Sequence, residues 1–296
     1  MIDPRATMLQ PGVFAPPYAG RDNLVPLYPK DGVYFGDKII EQNSKRRLCP
    51  EITILSLLSG RWFVFGNYLR NLNLLDYPKS KINLLLFCTS KDIYFRNVIK
   101  SLKSYFNKCG YRSVRIEVDE SNSPSHLVFS EKSGPVLNHL DGISKAYKSA
   151  FSLVETDLCF SIEDDEILPS HSLKKLLIYF SDRDVACASG IARGRHGEGF
   201  VAFDFFINPE NGEILGKPLD RRKMLNASCV GSSGLGCTLL NMREVRKIDI
   251  VHKLDDVSGL SGCDVVMGYQ FNRMGKRVIV DWDIYAYHIS SVGDIF

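Results

Sequence analysis

From Glu51 onward the sequence switches repeatedly between two hydrophobic periods, and that alternation constrains the fold more than any single residue does. Ile52 to Leu58 is a short apolar run of strand length. Phe65, Leu69, Leu72 and Leu75 then recur at helical spacing until Tyr77-Pro78 closes the element, and Ile82 to Cys88 reads as a second strand. The unit repeats with Ile93, Val98, Leu102 and Phe106 on one helical face, Gly110 as a C-cap and Val114 to Val118 as a third strand. Strand, helix, strand order builds parallel pairs, so the expected class is α/β, a mostly parallel central sheet flanked by helices. A helix from about Leu137 to Val154 leads into the strand Leu158 to Ile162. A helix from about Ser172 to Phe180 and strands near Val185 to Ile191, Phe200 to Ile207 and Cys237 to Leu240 follow.

The first fifty residues break this rule. They hold seven of the thirteen prolines, which disfavours helix and central strand, so residues 1–48 read as a Pro-rich N-terminal extension and 49–296 as one catalytic-sized domain. Thirty-seven basic side chains nearly balance 34 acidic ones, a net charge of +3 that gives no reason to expect a nucleic-acid partner. Eight cysteines are scattered without ligand spacing, which suggests a reducing, cytoplasmic setting and no zinc site. No apolar stretch approaches the roughly 20 residues that span a bilayer, so a soluble chain without a transmembrane segment is expected.

The strand Leu158 to Ile162 runs directly into Glu163-Asp164-Asp165-Glu166, followed by Ile167-Leu168-Pro169. Taken alone, four carboxylates in a row describe a solvated loop. Their place argues otherwise, because the C-terminal ends of strands in an open α/β sheet are where ligands bind. Side chains two apart on extended backbone share a side, so Glu163 and Asp165 can converge. Converging carboxylates repel unless a cation intervenes, and Mg²⁺ or Mn²⁺ held by one or two carboxylates together with substrate phosphates meets that need.

On these residues the chain resembles the GT-A glycosyltransferases, particularly the family 2-like inverting group. Its acidic D-x-D motif follows an apolar strand and precedes an apolar-apolar-Pro segment. Glu163 stands at the first acidic position where the family has Asp, and Asp165 at the metal-binding one. The helix with Ile143, Ala146, Ala150 and Phe151 resembles the one preceding the motif. Gly262-Cys263-Asp264 resembles the family's G-E-D segment, with Cys for Glu, which implies Asp264 as catalytic base; a helix N-cap is the other reading of that residue. His288, in a Tyr-His-Ile context, resembles the late His that serves as a further metal ligand, while a hydrogen-bonded core histidine is its plain alternative.

The resemblance implies donor contacts as well. Leu57, Ser59 and Arg61 after the first strand, and Thr89 with Ser90, Lys91 and Asp92 after the second, would meet base and ribose. Asp164 and Glu163 would border the same nucleotide. Gly234, in Gly231-Ser232-Ser233-Gly234-Leu235-Gly236, would border sugar and acceptor; the segment is not a P-loop and otherwise reads as a tight entry to a strand. Arg222 and its neighbours could approach the diphosphate from a loop. The implied reaction moves a sugar from a UDP- or GDP-sugar donor to a glycan or other hydroxyl acceptor, with inversion. A sugar nucleotidyltransferase is the rival enzyme, and a nucleotide- or carbohydrate-binding module that has lost turnover is the rival without chemistry. Acceptor choice would fall to the loops 119–135 and 193–227.

Overall fold

A computed structural model describes residues 8–10, 13–14, 25–26, 49–119, 137–192, 201–208, 211–219, 226–257 and 259–289. Two strand-helix units and a third strand open the domain as the periodicity predicts. They comprise β1 (Ile52–Leu58), α1 (Trp62–Leu74), β2 (Ile82–Cys88), α2 (Ile93–Lys108) and β3 (Ser113–Val118). Next come α3 (Leu137–Ser152), β4 (Leu158–Ile162), the two-residue β5 (Glu166–Ile167), α4 (Ser172–Leu177) and β6 (Val185–Ala192). The second half contains β7 (Ala202–Ile207), β8 (Ile214–Pro218), β9 (Ala227–Val230), β10 (Ser232–Ser233) and β11 (Cys237–Asn241). It ends with α5 (Met242–Val245), α6 (Cys263–Arg273) and β12 (Arg277–His288).

The central sheet has the order β9-β12-β6-β11-β4-β1-β2-β3, with β5 pairing onto β12. Strands β1 to β4, β6 and β12 run one way, while β9 and β11 run against them, so the mostly parallel expectation needs amendment in the second half. The chain leaves β1 toward β2 and β3, then returns to place β4 on the other side of β1. That reversal of strand order makes the C-terminal ends of β1 and β4 the switch point of the sheet, the place where open α/β sheets bind ligands in a crevice.

Both faces of the sheet are covered, as near-continuous apolar strands require. Period-two alternation sends Ile52, Ile54 and Leu58 to one side with Phe65, Tyr68 and Leu72 of α1 and Phe95, Ile99 and Phe106 of α2. Leu55 goes to the other side with Tyr147 and Phe151 of α3 and Met267 and Phe271 of α6. A smaller antiparallel sheet, β8-β7-β10, carries Val25–Pro26 as a further strand on β7, so the Pro-rich segment contributes at least one pairing to the domain. The eight cysteines are all free thiols. No helix among the described residues is long and apolar enough to cross a membrane.

One helical glycine shows how tightly α6 is seated. A Cβ on Gly268 would lie 2.6 Å from the Gly231 carbonyl oxygen and 2.6 Å from Ser232 Cβ. Gly→Ala in a helix ordinarily gains up to about 1 kcal/mol, whereas overpacking costs roughly 1–3, so packing decides the sign. Gly268→Ala is expected to lower Tm by several degrees, measured by thermal unfolding.

Candidate functional site

The crevice is built by backbone first. Ile289 N–H donates to the Asp165 carbonyl and Glu163 N–H to the Gly236 carbonyl, at 2.8 and 3.1 Å. Asn71, buried on α1, donates its amide to the Glu166 carbonyl (3.1 Å) and accepts from Leu168 N–H (3.2 Å). The acidic turn is therefore clamped from α1, β11 and the end of β12, and its carboxylates are not those of a loose solvated loop. Asp164, Asp165 and Glu166 are all at most 4% exposed. Glu163 retains 28%.

Successive side chains of the turn go to different partners. Asp164 turns back to β1, where its Oδ2 accepts from Ser59 N–H at 2.8 Å and from the Ser59 hydroxyl at 3.0 Å. Burial raises its pKa, against the pull of the Arg61 guanidinium and the Ser59 donors. Arg61 itself bonds Asp165 Oδ2 and lies 3.7 Å from Asp164 Oδ1. The turn that sends Arg61 there passes through Gly60 at φ +93°, a conformation L side chains rarely adopt.

Glu163, Asp165 and His288 each bring a ligand atom to one place, the three atoms lying within 4.8 Å of one another. The β5–β12 ladder sets this up, since His288 stands directly opposite Glu166 in register. Along β12, Trp282, Ile284, Ala286 and His288 alternate inward, which puts the imidazole inside. His288 Nε2 is 3.1 Å from Glu166 Oε1 and 3.6 Å from Glu163 Oε2. Burial opposes its charge, yet the two carboxylates prevail and push its pKa up to about 11. Two carboxylates and an imidazole are hard or borderline donors that suit Mn²⁺ or Mg²⁺, and three protein ligands leave positions for phosphate oxygens. Such an ion would have to displace the proton that His288 holds.

Asp264 sits one residue inside α6, whose N-cap is Gly262, so the N-cap reading of Asp264 does not hold. Burial, chiefly, raises its pKa to about 6, with the Glu163 charge adding to the rise and the Val265 amide opposing it. The pKa of buried Tyr147 of α3 is raised by burial and further by the nearby charges of Glu163 and Asp264.

Of the other sequence-predicted residues, Thr89 is buried with its hydroxyl donated to the Leu58 carbonyl. Leu57 packs partly buried on the α3 side. Gly234 pairs with Val201 through its N–H, and it is Gly236 that meets the acidic turn. Arg222 lies outside the described residues. Sequence reading missed Asn71 and the role of Glu166. Glu166 belongs to the visible acidic run, but its pairing with His288 spans 122 positions and is fixed only by the ladder. Nothing local marks Asn71.

Arg61, 27% exposed on its side chain, is the cationic partner of two buried aspartates. Breaking a buried pair strands the charge left behind at about 3–5 kcal/mol, and the part-exposure of Arg61 brings this to roughly 2–3. Arg61→Ala is expected to lower stability by that amount in metal-free buffer and to regain part of it with Mn²⁺, both read by thermal unfolding.

No protein-family model matches this sequence, and no curated protein matches it. Solved structures do. A mannosyltransferase, PcManGT from Pyrobaculum calidifontis in complex with GDP-Man and Mn²⁺, superposes with a TM-score of 0.56 at 11% identity, covering 83% of this chain and 59% of that one. Residues 1–349 of S. aureus TarS in complex with UDP-GlcNAc give 0.51 at 15%, covering 79% and 58%. GalNAc-T7 with UDP, GalNAc and Mn²⁺ gives 0.56 at 9%, covering 82% and 44%. The chain thus spans less than two thirds of the length of each. At these identities the likeness establishes the fold: a curled α/β sheet of the GT-A type found in nucleotide-sugar transferases.

Proposed function

We propose that the chain is a metal-dependent glycosyltransferase, moving a sugar from a UDP- or GDP-sugar to a hydroxyl of a glycan or other acceptor with inversion at the anomeric carbon. The observation that carries this reading is the meeting of Glu163, Asp165 and His288 at the switch point of a GT-A sheet. The free thiols fit a reducing, cytoplasmic setting.

In this mechanism Asp165, Glu163 and His288 hold Mn²⁺ or Mg²⁺, which when bound supplies positive charge to the departing diphosphate. Asp164, fixed by Ser59, and the backbone after β1 and β2 border the nucleotide. Arg61 is placed to pass from the aspartates to a phosphate oxygen. Asp264 takes the proton from the acceptor hydroxyl as that oxygen attacks the face of the sugar opposite the diphosphate. A pKa raised by burial makes a carboxylate a better base than an exposed one, while leaving it mostly ionised at neutral pH.

Donor hydrolysis across a panel of nucleotide sugars with Mn²⁺ tests the class directly: released nucleoside diphosphate is expected, and release of pyrophosphate from a sugar phosphate plus nucleoside triphosphate would instead indicate nucleotidyl transfer. Asp165→Asn is expected to weaken Mn²⁺ binding by on the order of 100-fold or more, measured by calorimetry. Wild-type affinity in that variant would remove Asp165 from the ligand set.

The base role has its own signature. Asp264 must be ionised to act, so transfer should fall as pH drops through about 6. Between its ordinary value of 3.8 and about 6, the folded state keeps a proton that the unfolded chain has lost, so this residue's contribution to stability declines as pH rises through that window. Asp264→Asn should therefore melt at or slightly above the wild-type temperature at neutral pH, while transfer falls by roughly 10²- to 10⁴-fold and the acid limb near pH 6 disappears. NMR of the product should show the anomeric configuration opposite to that of the donor. Wild-type transfer in the variant, or retained configuration, would contradict the assignment.

A further inference from the structure

Nine large apolar side chains among the described residues are exposed, and seven of them belong to two helices. Trp62, Phe63 and Leu74 are on α1, and Ile93, Tyr94, Val98 and Tyr105 on α2. The helices lie side by side on one face of the sheet and are tied at both ends. Trp62 Nε1–H donates to Asp92 Oδ2 at 2.8 Å, and Asn73 Nδ2–H donates to the Tyr105 hydroxyl at 2.8 Å. Trp62 also packs edge-on against Phe95 with ring centroids 5.0 Å apart. The exposed apolar side chains therefore belong to two adjoining helices. Tyr94 is 77% exposed and Phe63 50%, so half or more of each ring is left uncovered by the domain.

The charge on the two helices themselves is of one sign, Asp92 at the head of α2 being the carboxylate beside them. Residues 62–74 and 93–108 contain Arg70, Arg96, Lys100, Lys103 and Lys108 and neither Asp nor Glu, although the whole chain is nearly balanced. Arg70, Lys100, Lys103 and Lys108 are exposed. An isologous contact with a second copy would bring like charges together, which disfavours that occupant. Apolar and aromatic side chains on helices whose own charges are all cationic, with Asp92 engaged as N-cap and partner of Trp62, match an interfacial surface. Trp and Tyr rings settle at headgroup level, and lysine and arginine meet anionic lipid. Trp62 follows Arg61 directly and Ile93 follows Asp92, so the same surface borders the mouth of the crevice.

We propose that the α1–α2 face docks on an anionic membrane surface, seating Phe63 and Tyr94 among the headgroups with the crevice mouth beside them. This docking does not depend on the transferase reading. Sedimentation of the full chain with phosphatidylcholine vesicles, with and without phosphatidylglycerol, tests it. Binding to the anionic vesicles that weakens with added salt is expected. Phe63→Ser and Tyr94→Ser should each lower the partition constant by on the order of tenfold, and Lys100→Glu and Lys103→Glu by at least about fivefold each. Thermal unfolding of these surface variants should match wild type. Absence of binding to either vesicle, equal binding with and without anionic lipid, or undiminished binding by the variants would overturn the proposal. So would a dimer by light scattering that Phe63→Ser dissociates, or a soluble acidic polypeptide that binds this face more tightly than the vesicles do.

Discussion

The site depends on how four consecutive carboxylates are neutralised once the fold has buried three of them. Burial alone would drive such groups to protonate or the loop to open. Two cations oppose this from opposite sides, Arg61 from the end of β1 and His288 from the end of β12. Both elements are placed by the central sheet, β1 beside β4 and β12 against β5. The electrostatics of the turn and the order of strands are thus one constraint. A different strand order would leave the same residues as a charged surface loop.

The same arrangement gives chemically distinct carboxylates from a near-uniform run. Asp164 is held by hydrogen bonds from Ser59, Asp165 by Arg61, and Glu166 by the buried imidazole. Glu163 keeps the most solvent access, lies 3.6 Å from His288, and its charge raises the pKa values of Asp264 and Tyr147. Under the proposed function this separation divides the labour: an anchor to the sheet, two metal ligands with the histidine, and a buried orienting partner. Asp264 arrives from α6, whose seating on β10 leaves no room for a methyl group at Gly268. Close packing at the middle of that helix, with the Ser232 hydroxyl donated to the Asp264 carbonyl, holds the first turn that carries the carboxylate.

Much of the first half was legible in order because its strands and helices are local patterns. Apolar runs of seven residues and a 3.6-residue repeat report burial on two faces or one, whatever the neighbours are. The acidic turn could be located because it follows a strand directly. The second half was less readable. Strand β12 is long and irregular, with a register shift between Val280 and Tyr285 as it passes from β6 toward β5. The antiparallel insertion of β11 leaves no trace in periodicity, since a strand's direction is set by its partner and not by its own side chains.

The sequence by itself therefore determined the α/β class, the strand-to-turn position of the carboxylates and the convergence of Glu163 and Asp165, because these rest on local spacing and residue chemistry, while Asp264 and His288 entered as candidates through the family resemblance of their segments. Only the tertiary structure decided that His288 faces Glu166 as well as Glu163, that Arg61 serves the aspartates, that Asn71 clamps the turn and that Asp264 lies inside its helix and not at the cap. Each of these depends on residues far apart in the chain, or on where a helix begins. Strand order and helix docking fix such relations, and one-dimensional patterning carries no record of which buried charge will meet which.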